Sequence, residues 1–65
     1  MKITVNGSAE DITPCSLASF IERKGLSEKG VVVEHNYRII KRGDWESVWL
    51  NDNDNLELLS FVGGG

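Results

Sequence analysis

The chain has 65 residues, 40% of them apolar and 26% charged, with a net charge of −3. That length allows one domain at most and buries only about 60% of the surface the unfolded chain exposes, which leaves little bulk for a deep cleft lined by several catalytic groups. The acidic balance argues against nucleic-acid binding, which needs a basic face, and apolar runs such as Val31-Val32-Val33 are far too short to span a bilayer.

Met1-Lys2-Ile3-Thr4 has no apolar core of a secretory signal. The single cysteine, Cys15, cannot make an internal disulfide. Stability must then come from packing, and a cytoplasmic location is expected.

Ile3 and Val5 alternate with Lys2, Thr4 and Asn6, the period-two pattern of a half-buried strand. Asn6-Gly7 follows, the strongest short hairpin signal, because a type I′ turn needs positive φ at both central residues. Asn6-Gly7-Ser8 also matches a glycosylation sequon, but the hairpin turn is the better reading. The return strand is expected over about Ser8 to Ile12, with Ile12 facing the core.

Ser16 is suited to cap a helix through its hydroxyl, with Thr13-Pro14 as a competing start. Leu17, Phe20, Ile21 and Lys24 recur at helical spacing and form one stripe, along which Lys24 can lay its methylene stem. Gly25 fits the left-handed position that ends a helix, with Leu26 folding back onto the last turn.

Val31-Val32-Val33-Glu34-His35 reads as a β-branched strand, Asn36-Tyr37 as a turn and Arg38-Ile39-Ile40 as a short strand. Asp44 is placed to cap one helical turn over Trp45-Glu46-Ser47-Val48. Asn51 to Asn55 is a polar turn, and Leu56 to Val62 the last strand. The order β-β-α-β-β(short)-turn-β, with the first and last strands parallel in the middle, predicts an α+β, β-grasp or ubiquitin-like fold with one helix on one face of a mixed sheet. The expected division is a domain over residues 1–62 and a flexible tail over 63–65.

That tail, Gly63-Gly64-Gly65, is the chemically suggestive part. Glycine lets the backbone enter a slot too narrow for other residues, and three extended residues reach roughly 10 Å. The Gly65 carboxylate could thus enter another protein's active site. Transfer of AMP from ATP would convert it to a mixed anhydride open to a sulfur nucleophile, giving a thiocarboxylate. Partner enzymes would supply every base and metal, so the chain itself is expected to be no enzyme and to hold no cofactor.

In the last strand, Leu56, Leu58 and Ser60 share one face, and Leu59 and Phe61 the other. The first set is expected to face the helix. Leu59 and Phe61 then lie on the open face beside the tail, as a docking patch. The opposing reading covers that patch with the segment from Arg38 to Leu50, Trp49 acting as a lid.

The remaining candidates read as structural. Cys15 beside a helix start could carry a persulfide, but the incidental reading is preferred. His35 has no second ligand at metal spacing. Asp52-Asn53-Asp54-Asn55 lacks the offsets of a calcium loop and reads as a turn. Trp45 is expected to pack under the short helical turn.

Taken together, Lys2-Ile3-Thr4-Val5-Asn6-Gly7, Ser16-Leu17-Ala18-Ser19-Phe20-Ile21, Val31 to Asn36, Asp44-Trp45 and Asp52 through Phe61-Val62-Gly63-Gly64-Gly65 resemble the ThiS-type sulfur carriers of thiamine biosynthesis. The likeness covers essentially the whole chain, and the Phe-Val-Gly-Gly-Gly ending is its most specific part. Two positions depart from the pattern. Asn53 stands where glycine is frequent, and Tyr37 where a small residue is commoner.

The resemblance implies adenylation of Gly65 by an E1-like (ThiF-type) adenylyltransferase that uses ATP. A sulfur donor such as a cysteine desulfurase and a ThiG-type thiazole synthase would be the further partners. Leu59, Phe61, Val62, Gly63 and Gly64 would meet them, with no role for nucleic acid or membrane. The alternatives are the small subunit of molybdopterin synthase and a ubiquitin-like modifier joined to lysines. A domain with an inert tail is a third.

Overall fold

A computed structural model describes residues 1–26 and 30–61, with the backbone alone of Phe61. Five strands form one sheet: β1 (Lys2–Val5), β2 (Ser8–Asp11), β3 (Gly30–His35), β4 (Arg38–Ile39) and β5 (Asn55–Phe61). Their spatial order is β2-β1-β5-β3-β4. Helix α1 (Leu17–Arg23) and a 3-10 helix (Arg42–Ser47) complete the elements among the described residues. β1 and β5 run parallel and every other neighbouring pair antiparallel, which is the β-grasp arrangement read from the sequence.

Local chemistry sets each element. Asn6 and Gly7 both have positive φ, 50° and 85°, and turn β1 tightly into β2. β2 closes at Asp11, and Ile12 packs against the edge of the core just beyond it. Ser16 caps α1 by accepting the Ser19 N–H at 3.1 Å. Thr13 takes another role, accepting from the Arg23 guanidinium at 3.2 Å.

At the other end of α1, Gly25 adopts φ +75°. Its N–H reaches the Glu22 carbonyl, and the Leu26 N–H reaches Ile21. These two bonds make a Schellman motif. Lys24 sits at the cap, pairs with Glu10 at 2.7 Å, and holds its ammonium 5.3 Å from the centre of the Phe20 ring.

The core lies between the sheet and the helical layer. Ile3, Val5, Val33 and Leu56 come from the strands, Leu17, Phe20 and Ile21 from α1, and Cys15, Trp45 and Leu50 from the connections. Residues 15–17 and 48–50 pair briefly, through Leu17 N–H to Val48 at 2.7 Å and Leu50 N–H to Cys15 at 3.0 Å. That pairing carries Cys15 and Leu50 inward together.

The expected cap at Asp44 is not formed. The 3-10 helix begins at Arg42 after Lys41, which makes no side-chain cap bond, and Asp44 lies inside its first turn. The earlier start follows from Trp45, which is buried as expected and donates its indole N–H to the Ile40 carbonyl at 3.0 Å. Reaching that carbonyl draws the turn back towards β4.

Candidate functional site

Strand β5 leads towards the glycine tail, and its two halves are held differently. Its entry is gripped from both sides. β1 pairs with it at Thr4–Asn55 and Val5–Leu56, and β3 pairs along its whole length, from His35–Leu56 to Gly30–Phe61. The parallel ladder is extended by a side chain where β1 stops. The Leu58 N–H donates to the Asn6 amide oxygen at 2.7 Å, and the Asn6 amide nitrogen donates to the Leu58 carbonyl at 3.2 Å. The amide therefore stands in for one further residue of β1.

A second asparagine works from the other hairpin. Asn36, at φ 51°, accepts the Asn55 N–H at 2.8 Å and donates to Asp54 at 3.1 Å. Asp54 is the only buried charged side chain among the described residues. One of its oxygens also accepts the Asn51 N–H at 2.8 Å and lies 2.7 Å from His35 Nε2. Burial pushes the Asp54 carboxyl up, but the bonds from His35, Asn51 and Asn36 and the attraction of the His35 ring outweigh it, so its pKa falls below the ordinary value.

These partners were invisible to the reading of His35 as solitary and of residues 52–55 as a plain turn. Asp54 and its side-chain donors are 18 and 19 residues apart in sequence. The turn itself is as expected, with Asn53 at φ 72° in the left-handed region that asparagine tolerates.

The exit of β5 is open. Leu56 is fully buried and Leu58 packs against the core, while Leu59 is 60% exposed on the opposite face. The expected division of the strand is therefore present at Leu56, Leu58 and Leu59. Val32, Glu34, Tyr37, Glu57, Leu58 and Leu59 line a shallow groove there. Trp49 does not cover Leu59; it bridges to Ser16 beside α1 and is itself exposed. The Phe61 backbone ends β5 opposite Gly30. Its side chain, together with Val62, Gly63, Gly64 and Gly65, lies outside the described residues.

Cys15 is 4% exposed and packs in the core, which agrees with its incidental reading. No cluster of three or more metal-ligating side chains occurs among the described residues. No helix among them is long and apolar enough to cross a membrane.

The fold and the open face of β5 define a β-grasp protein. The ThiS family model matches residues 3–65, and the chain belongs to that family.

Among solved structures, the thiamine biosynthesis protein ThiS of Geobacter metallireducens superposes with a TM-score of 0.84 at 26% identity, covering all of both chains. The thiazole synthase of Paramagnetospirillum magneticum is 30% identical over the whole of this chain. That of Magnetococcus marinus is 32% identical. The chain spans about a fifth of the length of these two relatives, 20% in each case. The uncharacterized protein ycf40 of Pyropia yezoensis is 32% identical over the whole chain and 93% of its own length.

Proposed function

We propose that this protein carries sulfur as a thiocarboxylate on Gly65 and delivers it for thiazole formation in thiamine biosynthesis. The observation that carries the reading is the reach of the family match, which runs through the sheet and on to residue 65, the glycine tail included.

In the proposed cycle a carboxylate oxygen of Gly65 attacks the α-phosphorus of ATP on a ThiF-type adenylyltransferase, and pyrophosphate leaves. A hydrosulfide, released when a thiol reductant reduces the persulfide of a donor such as a cysteine desulfurase and is itself oxidised to a disulfide, then attacks the acyl carbon. AMP departs with the C–O bond electrons, and the thiocarboxylate remains. Its sulfur is nucleophilic and passes to a ThiG-type thiazole synthase. The similarity of this chain to one-fifth of two longer thiazole synthases supports that choice of acceptor.

The carrier holds no cofactor of its own, and ATP is consumed by the activating enzyme. Gly63 and Gly64 thread the partner's channel, while Leu59, Phe61 and Val62 seat against its mouth. The setting is the cytoplasm.

The test is intact-protein mass spectrometry after incubation with ATP, the E1-like enzyme of the same genome and a sulfur donor. The expected result is a mass gain equal to the difference between sulfur and oxygen, abolished by deletion of Gly65. An isopeptide adduct on lysines, or no change with a demonstrably active E1-like enzyme, overturns the reading. Loss of thiamine prototrophy on deletion separates this role from that of a molybdopterin carrier.

A further inference from the structure

Alternate residues of a central strand address its two neighbours in turn. From Asp54 onward the even-numbered residues face β1. The Thr4 N–H donates to the Asp54 carbonyl and the Asn6 N–H to the Leu56 carbonyl, both at 2.9 Å. The next rung falls on Leu58. The β1 backbone cannot supply it, because Gly7, at φ 85°, has already turned the chain into β2. The Asn6 amide supplies both halves of that rung, at 2.7 Å to the Leu58 N–H and 3.2 Å to its carbonyl. Ser60, the following residue on that side, lies beyond the pairing with β1.

The turn does not require this side chain. Glycine meets the Asn6 φ of 50° with no Cβ to crowd the backbone, so two glycines would serve as well for the turn alone. What glycine lacks is the amide. A strand held along a single edge can tilt out of the sheet, and beyond Leu58 the described ladder of β5 has β3 alone. Bonds to both the N–H and the carbonyl of Leu58 block that tilt at the last point within reach of β1. Gly65 lies seven residues further on. That is a reach of at most about 25 Å, so a tilt of about 10° at Leu58 swings the carboxylate through about 4 Å. A misplacement of even about 1 Å can slow a reaction about a hundredfold.

We infer that Asn6 is a positioning residue for the activation of Gly65. Its amide sets the direction in which β5 leaves the sheet, and through Leu58 it decides where the tail carboxylate is delivered. The inference rests on the carrier reading above. Asn36 is the counterpart at the strand entry, with nearly the same φ of 51°. There the amide shares its task with the bond from the Asn36 N–H to the Asn55 carbonyl and with Asp54. At the exit the Asn6 amide is the last hydrogen-bonded contact from the β1 side among the described residues.

The experiment is ATP–pyrophosphate exchange by the E1-like enzyme of the same genome, with the carrier as varied substrate. Asn6→Gly removes the amide and keeps the turn. Ser16→Ala, which removes the cap of α1, controls for a loss of stability away from β5. Asn6→Gly should lower kcat about tenfold and leave KM within about twofold of the parent, because the body docks as before and the tail arrives off line. Ser16→Ala should keep the parent's kcat. In the free protein, amide hydrogen exchange at Leu58 should quicken in Asn6→Gly more than at Asn55, which Asn36 holds. Asn6→Asp serves if the glycine variant does not fold. It keeps an acceptor for the Leu58 N–H, loses the donor, and should lower kcat about threefold. A kcat within about twofold of the parent in a folded Asn6 variant, a loss confined to KM, or an equal loss in Ser16→Ala overturns the inference and leaves the carrier reading intact. Failure of the parent chain to support exchange by a demonstrably active enzyme overturns both.

Discussion

The entry and the exit of β5 are seven residues of one strand built to opposite ends. At the entry, Leu56 is fully buried, β1 and β3 flank the backbone, and two asparagine amides and a buried aspartate fix the ladder. At the exit, from Leu59 onward, the described ladder has β3 alone, and the side chain of Leu59 faces outward. The contrast teaches that the polar side chains that anchor β5 gather at its entry, so that its exit is left open.

The contrast is open to direct attack by substitution. Leu56→Ala should cost about 3–4 kcal/mol, the range for a fully buried leucine, against a total of roughly 3–10 kcal/mol for a chain of this length. Denaturant titration should therefore find this variant largely unfolded or barely folded.

Asp54→Ala leaves the donors of Asn51, Asn36 and His35 without their acceptor and should cost about 2–3 kcal/mol in the same titration. Its pH dependence has a definite sign. The folded pKa of Asp54 lies below the ordinary value of 3.8, so the carboxylate's contribution is fully present above that value and is lost as pH falls through the folded pKa. Chemical denaturation from pH 7 down to pH 2 should show this loss in the parent and a shallower one in Asp54→Asn.

Asn6→Ala removes both bonds to Leu58 and places a Cβ-bearing, non-polar residue at positive φ. A loss of about 1–2 kcal/mol is expected. Leu59→Ala is the sharpest contrast with Leu56→Ala. Three residues along the same strand, it should shift stability by less than about 0.5 kcal/mol while weakening association with the adenylating enzyme. A Leu59 variant as unstable as the Leu56 one would erase the distinction between the two halves.

The features legible in the sequence are those whose causes are local. Asn6-Gly7 names its turn, Gly25-Leu26 its cap, and the alternation from Leu56 to Phe61 assigns the buried and open faces because strand geometry has a period of two. The features that escaped depend on distant partners. Asp54 carries no local mark of being an anchor, since its side-chain donors come from the β3–β4 hairpin and meet it only after the sheet is assembled. Asp44 has the chemistry of a cap, but the reach of the Trp45 indole to Ile40 decided where the helix began. Trp49 could be read as a lid over Leu59 because nothing in its neighbours indicates which layer it joins.

The Asn6 amide carries one more consequence, for the lifetime of the molecule. An asparagine followed by glycine is prone to cyclise, the next backbone nitrogen attacking the side-chain carbonyl and expelling ammonia. In this protein that carbonyl and its amino group are both occupied by Leu58, so the ring closure must wait for the strand end to open. Once it happens and water opens the ring, the aspartate or isoaspartate left behind has no side-chain N–H for the Leu58 carbonyl, and the strand end cannot close as before. Chemical ageing of this carrier is thus timed by the breathing of its own sheet.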